Sequence, residues 1–336
     1  MATDLGGWFE HILAAHRRIA SHIARTPLLE SESLNASLGL RLVVKPESLQ
    51  KTGSFKARGA LNFVLQSQST VNRAFVGYSS GNHAQGLAYA AGVVGRRAHV
   101  LMPASAPSRK VEGTLALGAE VEILPDFFAQ RDQRVAQMVA DGAIFVPPFD
   151  HRHIVEGQGT VGLEIAQDAT ARDIPIDTLV IAISGGGLLA GTAVAVRQRF
   201  PGCRIVGVEP DGFDDFAKSM AAGSRISNEP GRSTLCDGLM SPRPGEVPFA
   251  LANAIKPDFA TVSDSDVRQA IKVLFGHFNL VAEASGAAAL AAVLKTNNAL
   301  RGKTVAVVVS GGNVDVANFE RLLSGESSCA DHAFTQ

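Results

Sequence analysis

Four residues in the middle of the chain, Ser184-Gly185-Gly186-Gly187, have the make-up of a phosphate-binding turn. An apolar run, 178–183, precedes them, and a second apolar stretch from Leu188 follows, which reads as strand, loop and helix. Such a loop needs glycine, because without a Cβ the backbone N–H groups can close on an anion and the helix start adds the positive end of its dipole. Each bond from an N–H to a charged oxygen is worth about 1.5–3 kcal/mol. A lone phosphate group is one occupant. A dinucleotide is another: Gly185-x-Gly187-x-x-Ala190 fits that fingerprint, and Glu209 ends the next apolar run where a ribose-binding acid would stand. A tight turn without ligand is the third reading, and the loop alone leaves all three open.

Three further clusters bear on the choice: Ser54-Phe55-Lys56-Ala57-Arg58-Gly59-Ala60, Ser79-Ser80-Gly81-Asn82-His83-Ala84-Gln85 and Ser310-Gly311-Gly312-Asn313. Taken singly they are bland. A lysine after a turn is usually a solvated charge, Asn82 is a good helix cap, and Ser310 could end a strand. In order and spacing, from about Arg25 to Asn313, the four clusters resemble the fold-type II pyridoxal-phosphate enzymes, in particular the serine/threonine dehydratase and serine racemase branch. The resemblance implies an α/β fold of the tryptophan synthase β-like kind. Two open, twisted parallel-sheet domains, a large one from 1–75 and 150–336 and a small one from 76–149, would hold pyridoxal 5'-phosphate in the cleft between them.

The same resemblance assigns roles. Lys56 would form the Schiff base and act as general base. Phe55 would pack beside the ring, Asn82 would bond the ring hydroxyl, and Ser184, Gly185, Gly186, Gly187 and Leu188 would grip the phosphate. Ser184 stands where glycine is frequent. Ser310 would face the pyridine nitrogen and Glu283 would lie near the ring, although Ala284 replaces the proline that often follows it. Ser79, Ser80, Asn82 and His83 would bind the substrate carboxylate at a helix start. Ser80, opposite the lysine, would be a second catalytic residue if the enzyme racemises. Glu209, Phe213 (through its carbonyl) and Asp215 would hold a divalent cation (Mg²⁺, Mn²⁺ or Ca²⁺), for which oxygen donors are suited. Without the resemblance that segment reads as a solvated acidic loop.

The implied activity removes water and then ammonia from a small β-hydroxy amino acid such as L-threonine or L-serine. The cofactor is the electron sink; the protein supplies position and charge. Lys56 must lose pKa to serve as base, which burial accomplishes. A neutral Ser310 hydroxyl at the ring nitrogen withdraws charge only moderately, which suits prompt loss of a β-hydroxyl. Serine racemase and 3-hydroxyaspartate dehydratase chemistry would use the same atoms. For the latter, Arg152 between His151 and His153 offers a partner for a second carboxylate. Two other classes stay open: an NAD-dependent oxidoreductase built on the Gly185 loop, and a non-catalytic binding protein.

The elements that must position these residues alternate. Strands are predicted at 42–45, 74–78, 98–102, 120–124, 143–146, 178–183, 204–209 and 304–309. Helices are predicted at 8–24, 57–66, 84–92, 109–117, 131–140, 159–167, 188–199, 265–278 and 285–295. That alternation implies parallel sheets covered on both faces. The segment 223–248, rich in Gly, Pro and Ser, reads as a long loop, and residues after about 323 read as loosely ordered.

Composition excludes other classes. Hydrophobic residues are 46% and charged residues 19%, an ordinary globular balance, and a net charge of -1 without a basic run gives no nucleic-acid footprint. Three scattered cysteines, without a CxxC pair, suit a reducing, cytoplasmic setting rather than a zinc site. The uncharged stretch 178–196 is long enough to span a membrane, but its four glycines favour the strand–loop–helix reading. The expected partners are an amino-acid substrate and a second copy of the chain, with neither nucleic acid nor membrane.

Overall fold

The computed structural model describes residues 4–67, 73–79 and 81–324. Ser80, and the tail expected to be loosely ordered from 325 on, lie outside the described residues. In chain order the strands are β1 (Arg41–Pro46), β2 (Phe75–Tyr78), β3 (Ala98–Pro103), β4 (Glu120–Leu124), β5 (Ile144–Phe145), β6 (Thr178–Ala182), β7 (Arg204–Pro210), β8 (Asp258–Val262) and β9 (Thr304–Val309). Among the described residues they form two sheets, ordered β1-β9-β6-β7-β8 and β4-β3-β2-β5. Every strand pair is parallel, so the expected α/β architecture of two parallel sheets is present. The smaller sheet is made entirely within 75–145, inserted between β1 and β6.

The apolar strands explain the layering. Leu42, Val44, Val180, Val305 and Val307 join one core cluster, while Val43, Leu179, Ile181, Ala306 and Val308 join the other. Alternate residues of a strand point to opposite faces, so uninterrupted apolar runs require both faces to be covered by helices. Each such Val, Leu or Ile contributes about 1.5–3 kcal/mol by leaving water.

Several elements differ from expectation for local reasons. The first helix is Leu5–Ile19, begun by the Asp4 side chain accepting from Gly7 N. It stops short of residue 24 because Gln50 takes both the N–H and the carbonyl of Ala24, each at 2.8 Å. The helix expected from 159 starts at Arg152 and runs to Ala171, with His151 Nδ1 accepting from His153 N at 3.0 Å. Helices Glu32–Leu38, Asp215–Ala222, Glu246–Ile255 and Val316–Ser324 were not anticipated. Nor was β8, an edge strand whose only buried residue is Val262, so it carries no apolar run. The stretch 178–196 divides into β6 and the helix Gly187–Arg199, and no helix among the described residues is long and apolar enough to cross a membrane.

Candidate active site

The segments singled out by their residue types follow the carboxyl ends of the strands. Thr52–Lys56 follows β1, Ser79–Asn82 follows β2, Ser184–Gly187 follows β6 and Ser310–Asn313 follows β9. In open parallel sheets the crevice outside those ends is where ligands bind.

Lys56 is the first residue of helix Lys56–Gln66. The preceding turn is tied to the end of β9: Phe55 N donates to Ser310 O at 3.1 Å, Gly312 N to Gly53 O at 2.9 Å, and Ser54 bridges Gly311. Gly53 has φ +69° and packs on the Asn313 side chain, so any other residue there would be both strained and crowded. Lys56 Nζ donates to Pro148 O at 2.8 Å and sits 5.2 Å from the Phe55 ring centroid. Burial lowers its pKa from 10.5 to about 8. It is therefore not a solvated charge but an amine that loses its proton cheaply near neutral pH.

Two residues beyond it, Arg58 anchors the helix. Its guanidinium bonds Glu47 at 2.7 and 2.8 Å and Glu164 at 2.8 and 2.9 Å. Lys45 completes the group, donating to Glu164 and to the Thr26 carbonyl, both at 2.6 Å. All four charged side chains are fully buried and their formal charges cancel.

On the other side of the cleft, helix Asn82–Val93 begins at the glycine of the serine turn. Asn82 does not cap it; its side chain instead bonds outward. Nδ2 donates to Glu283 Oε1 at 2.5 Å and Oδ1 accepts from Asn313 Nδ2 at 2.8 Å. Glu283 is buried, and burial pushes its pKa up against the pull of Lys110, whose ammonium lies 3.4 Å from Oε2. Ser79 Oγ accepts from Gly81 N at 3.0 Å. His83, expected at the substrate carboxylate, has its ring buried with Nε2 2.9 Å from Val146 O. Burial, reinforced by Lys56, drives its pKa down to about 3, so the imidazole stays neutral and only its backbone remains for an anion. Ser80 lies outside the described residues.

The glycine loop is shaped as its sequence suggested. Gly186 has φ +94°, and Gly187 opens the helix, so the first N–H groups have no partner within it. An added Cβ would overlap the Phe149 ring at Gly185, Phe216 and Pro248 at Gly186, and the Gln158 side chain at Gly187. Ser184 Oγ accepts from Ser241 N at 3.2 Å, and Leu188 is buried behind the loop.

The acidic segment after β7 is not a solvated loop. Glu209 is fully buried and spends both oxygens on the N–H groups of Phe216 (2.8 Å) and Ala217 (3.0 Å). That excludes it as a ribose-binding acid, which corrects the dinucleotide alternative. Burial raises Glu209 to about 8 and Asp215 to about 7. Asp215 Oδ1 accepts from Asn228 Nδ2 at 2.7 Å, while Asp215 Oδ2 and Asn228 Oδ1 are buried without a partner. Among the described residues no group of three or more His, Cys, Asp or Glu is arranged to hold a metal ion. Arg152, expected to face a substrate carboxylate, instead pairs with Glu156 at 2.7 Å and stacks 5.4 Å from the Trp8 ring.

Residues 19–311 match the family described as pyridoxal-phosphate dependent enzyme. The chain belongs to that family. It is 36% identical to an L-threonine ammonia-lyase of Thermotoga maritima over 94% of this chain and 78% of that protein. It is 35% identical to an L-threo-3-hydroxyaspartate ammonia-lyase of Saccharomyces cerevisiae, over 94% and 96%. Among solved structures it resembles maize serine racemase, with a TM-score of 0.87 and 33% identity, covering 94% and 97%. The pyridoxal-phosphate reading thus replaces the NAD alternative. The site suits such a cofactor: an amine of lowered pKa, a glycine cradle at a helix start, and the buried hydroxyls of Ser54 and Thr52 left without partners.

Proposed function

We propose that this chain is a pyridoxal-phosphate dependent ammonia-lyase that converts a small neutral β-hydroxy amino acid, L-threonine or L-serine, into a 2-oxo acid and ammonia. The observation that carries the reading is the half-buried Lys56 amine, its pKa lowered to about 8, between Phe55 and the Pro148 carbonyl. When bound, the cofactor supplies the electron sink that acidifies the substrate Cα–H. Lys56 would hold it covalently, Gly185, Gly186, Gly187, Ser184 and Leu188 its phosphate, and Phe55, Asn82, Glu283 and Ser310 its ring. Lys56 Nζ would be the base that takes the substrate Cα proton. The β-hydroxyl leaves as water, and the released enamine takes up water to give the 2-oxo acid and ammonia, with no net redox change. The turn Ser79–Asn82, at a helix start, is suited to the substrate carboxylate.

A neutral substrate side chain is favoured over 3-hydroxyaspartate. Arg152 is paired with Glu156, and Lys110 is shared by Asp237 and Glu283, so neither has charge to spare for a second carboxylate. We assign the large domain to 1–75 and 150–336 and the small one to 76–149, a division the insertion of the smaller sheet supports. The unpartnered Asp215 Oδ2 and Asn228 Oδ1 support a divalent cation beside Asp215, to which Phe213 would offer its carbonyl and Glu209 would turn only by releasing the N–H groups of Phe216 and Ala217. We also propose a homodimer, and the free, buried Cys203 and Cys236 support a reducing, cytoplasmic setting. The test is Lys56→Ala with the loaded enzyme. Visible absorbance should vanish and 2-oxo acid release fall by about 10³-fold or more; retained absorbance and turnover would sink the reading. A panel of L- and D-β-hydroxy amino acids, assayed with Mg²⁺ and with chelator, fixes substrate and cation dependence.

A further inference from the structure

Lys110 was not singled out by its sequence context, yet its buried ammonium passes Gly81 and bonds across to the larger sheet's loops. It lies in helix Ser108–Ala116, which belongs to the smaller sheet's layer. Its side chain crosses directly over Gly81: a Cβ there would lie 2.5 Å from Lys110 Cδ and 3.1 Å from both Cε and Nζ. A side chain at 81 would have to displace the lysine stem. Beyond Gly81 the ammonium reaches Asp237 Oδ2 at 2.5 Å and Glu283 Oε2 at 3.4 Å.

Both acceptors belong to the larger sheet's side and are themselves held. Glu283 precedes helix Ala284–Lys295, and Ser285 Oγ in its first turn accepts from Gly238 N at 2.8 Å and lies 3.5 Å from Asp237 Oδ1. The other Glu283 oxygen accepts from Asn82. The groups facing the ammonium are thus Asp237 and Glu283, with Asn82 bonded behind Glu283. Glu283 Oε2 has no hydrogen bond of its own, so the ammonium is its only compensating neighbour among the described residues.

We propose that Lys110 is a positioning residue: by bridging from Gly81 to Asp237 and Glu283 it draws Gly81 and Asn82 onto the opposite wall and holds Glu283 against Asn82, which sets affinity for substrate. It does not touch the reacting atoms. The effect falls on substrate binding, because Asn82, at this helix start, is among the groups offered to the substrate carboxylate. This rests on the ammonia-lyase reading for its substrate but not for its structural part.

The experiment compares Lys110→Met, Lys110→Arg and Asp237→Asn, with Lys110→Met repeated in a Glu283→Gln background. In unloaded protein, amide exchange over 82–93 should rise about tenfold in Lys110→Met and by less in Asp237→Asn. In loaded enzyme KM should rise about tenfold with kcat within about twofold, and Lys110→Arg should recover part of the loss. In the Glu283→Gln background Lys110→Met should add less than about twofold, since the partner it serves is gone. Unchanged exchange and KM in both Lys110→Met and Asp237→Asn would overturn the proposal. So would an undiminished tenfold effect in the Glu283→Gln background. If Lys110→Met does not fold, Asp237→Asn, which alters the half-exposed partner, decides alone. If the wild-type chain binds no pyridoxal phosphate, the ammonia-lyase reading falls, while the exchange comparison on unloaded protein still judges Lys110.

Discussion

Two buried ionic groups flank the candidate site, and they differ in what they connect. Lys45, Glu47, Arg58 and Glu164 lie wholly inside one body, fully buried, with equal numbers of each charge and multiple hydrogen bonds. Lys110, Asp237 and Glu283 lie across the cleft, carry one cation for two carboxylates, and include the half-exposed Asp237. Desolvated ion pairs stabilise only when geometry is good and further hydrogen bonds satisfy their polar atoms, and in the first group all four carboxylate oxygens accept at least one. The second group leaves Glu283 Oε2 without a hydrogen bond and keeps one partner in water. Charge inside one body thus anchors the helix that begins at Lys56, whereas the second group ties a helix of the smaller sheet's layer to loops on the larger sheet's side.

The comparison can be broken most decisively at Arg58. Arg58→Met leaves two buried carboxylates with only Lys45 and should cost about 3–5 kcal/mol in denaturant unfolding. Adding Glu47→Leu should recover part of that, because one uncompensated charge goes with it; a double variant no better than the single would show that packing, not charge, holds the helix. A smaller effect concerns the amine so held. Lys56 reacts when neutral, and its depressed pKa of about 8 puts the change within reach. Below pH 8 the protonated form predominates, so the rate of reconstitution with pyridoxal phosphate should rise about tenfold from pH 7 to pH 9 and level off above. A rise continuing to pH 10 would mean an unshifted lysine. The smallest effect is at Arg152, itself half in solvent, because His11 also lies 3.8 Å from the buried Glu156 carboxylate it pairs with. Arg152→Ala should cost less than about 1 kcal/mol and leave the ranking of substrates in the panel unchanged.

What the sequence revealed follows from how locally each signal is written. Leu42-Val43-Val44 and the run 178–183 declare buried strands by themselves, and the glycine loop declares its geometry because three adjacent residues lack Cβ atoms. Lys56 and Asn82 were legible because each sits in a short cluster of unusual composition. Lys110 and Asp237 were not: each is one charged residue in a polar stretch, and they are 127 positions apart. The same holds for Arg58 and Glu164, separated by 106. Arg152 misled because a charge flanked by two histidines suggests a binding face, whereas Glu156 one turn along takes it up. Helix Arg152–Ala171 itself was half missed, since Gly157, Gly159 and Gly162 dilute its periodicity. They are there so that its backbone can approach neighbours closely; a Cβ at Gly191, on the facing helix, would lie 2.8 Å from Gly159.

The pairing of β1 with β9 has a consequence for how the chain comes off the ribosome. Arg41 registers with Thr304, so one edge of the larger sheet waits for a partner synthesised near the end. The smaller sheet, complete by residue 145, can form while that edge is still bare. At about 5–20 residues per second the wait lasts on the order of ten seconds or more, long compared with sheet formation. Nascent chains halted between 150 and 300 should therefore present a structured inner unit flanked by an adhesive strand, the stage at which a chaperone has most to protect.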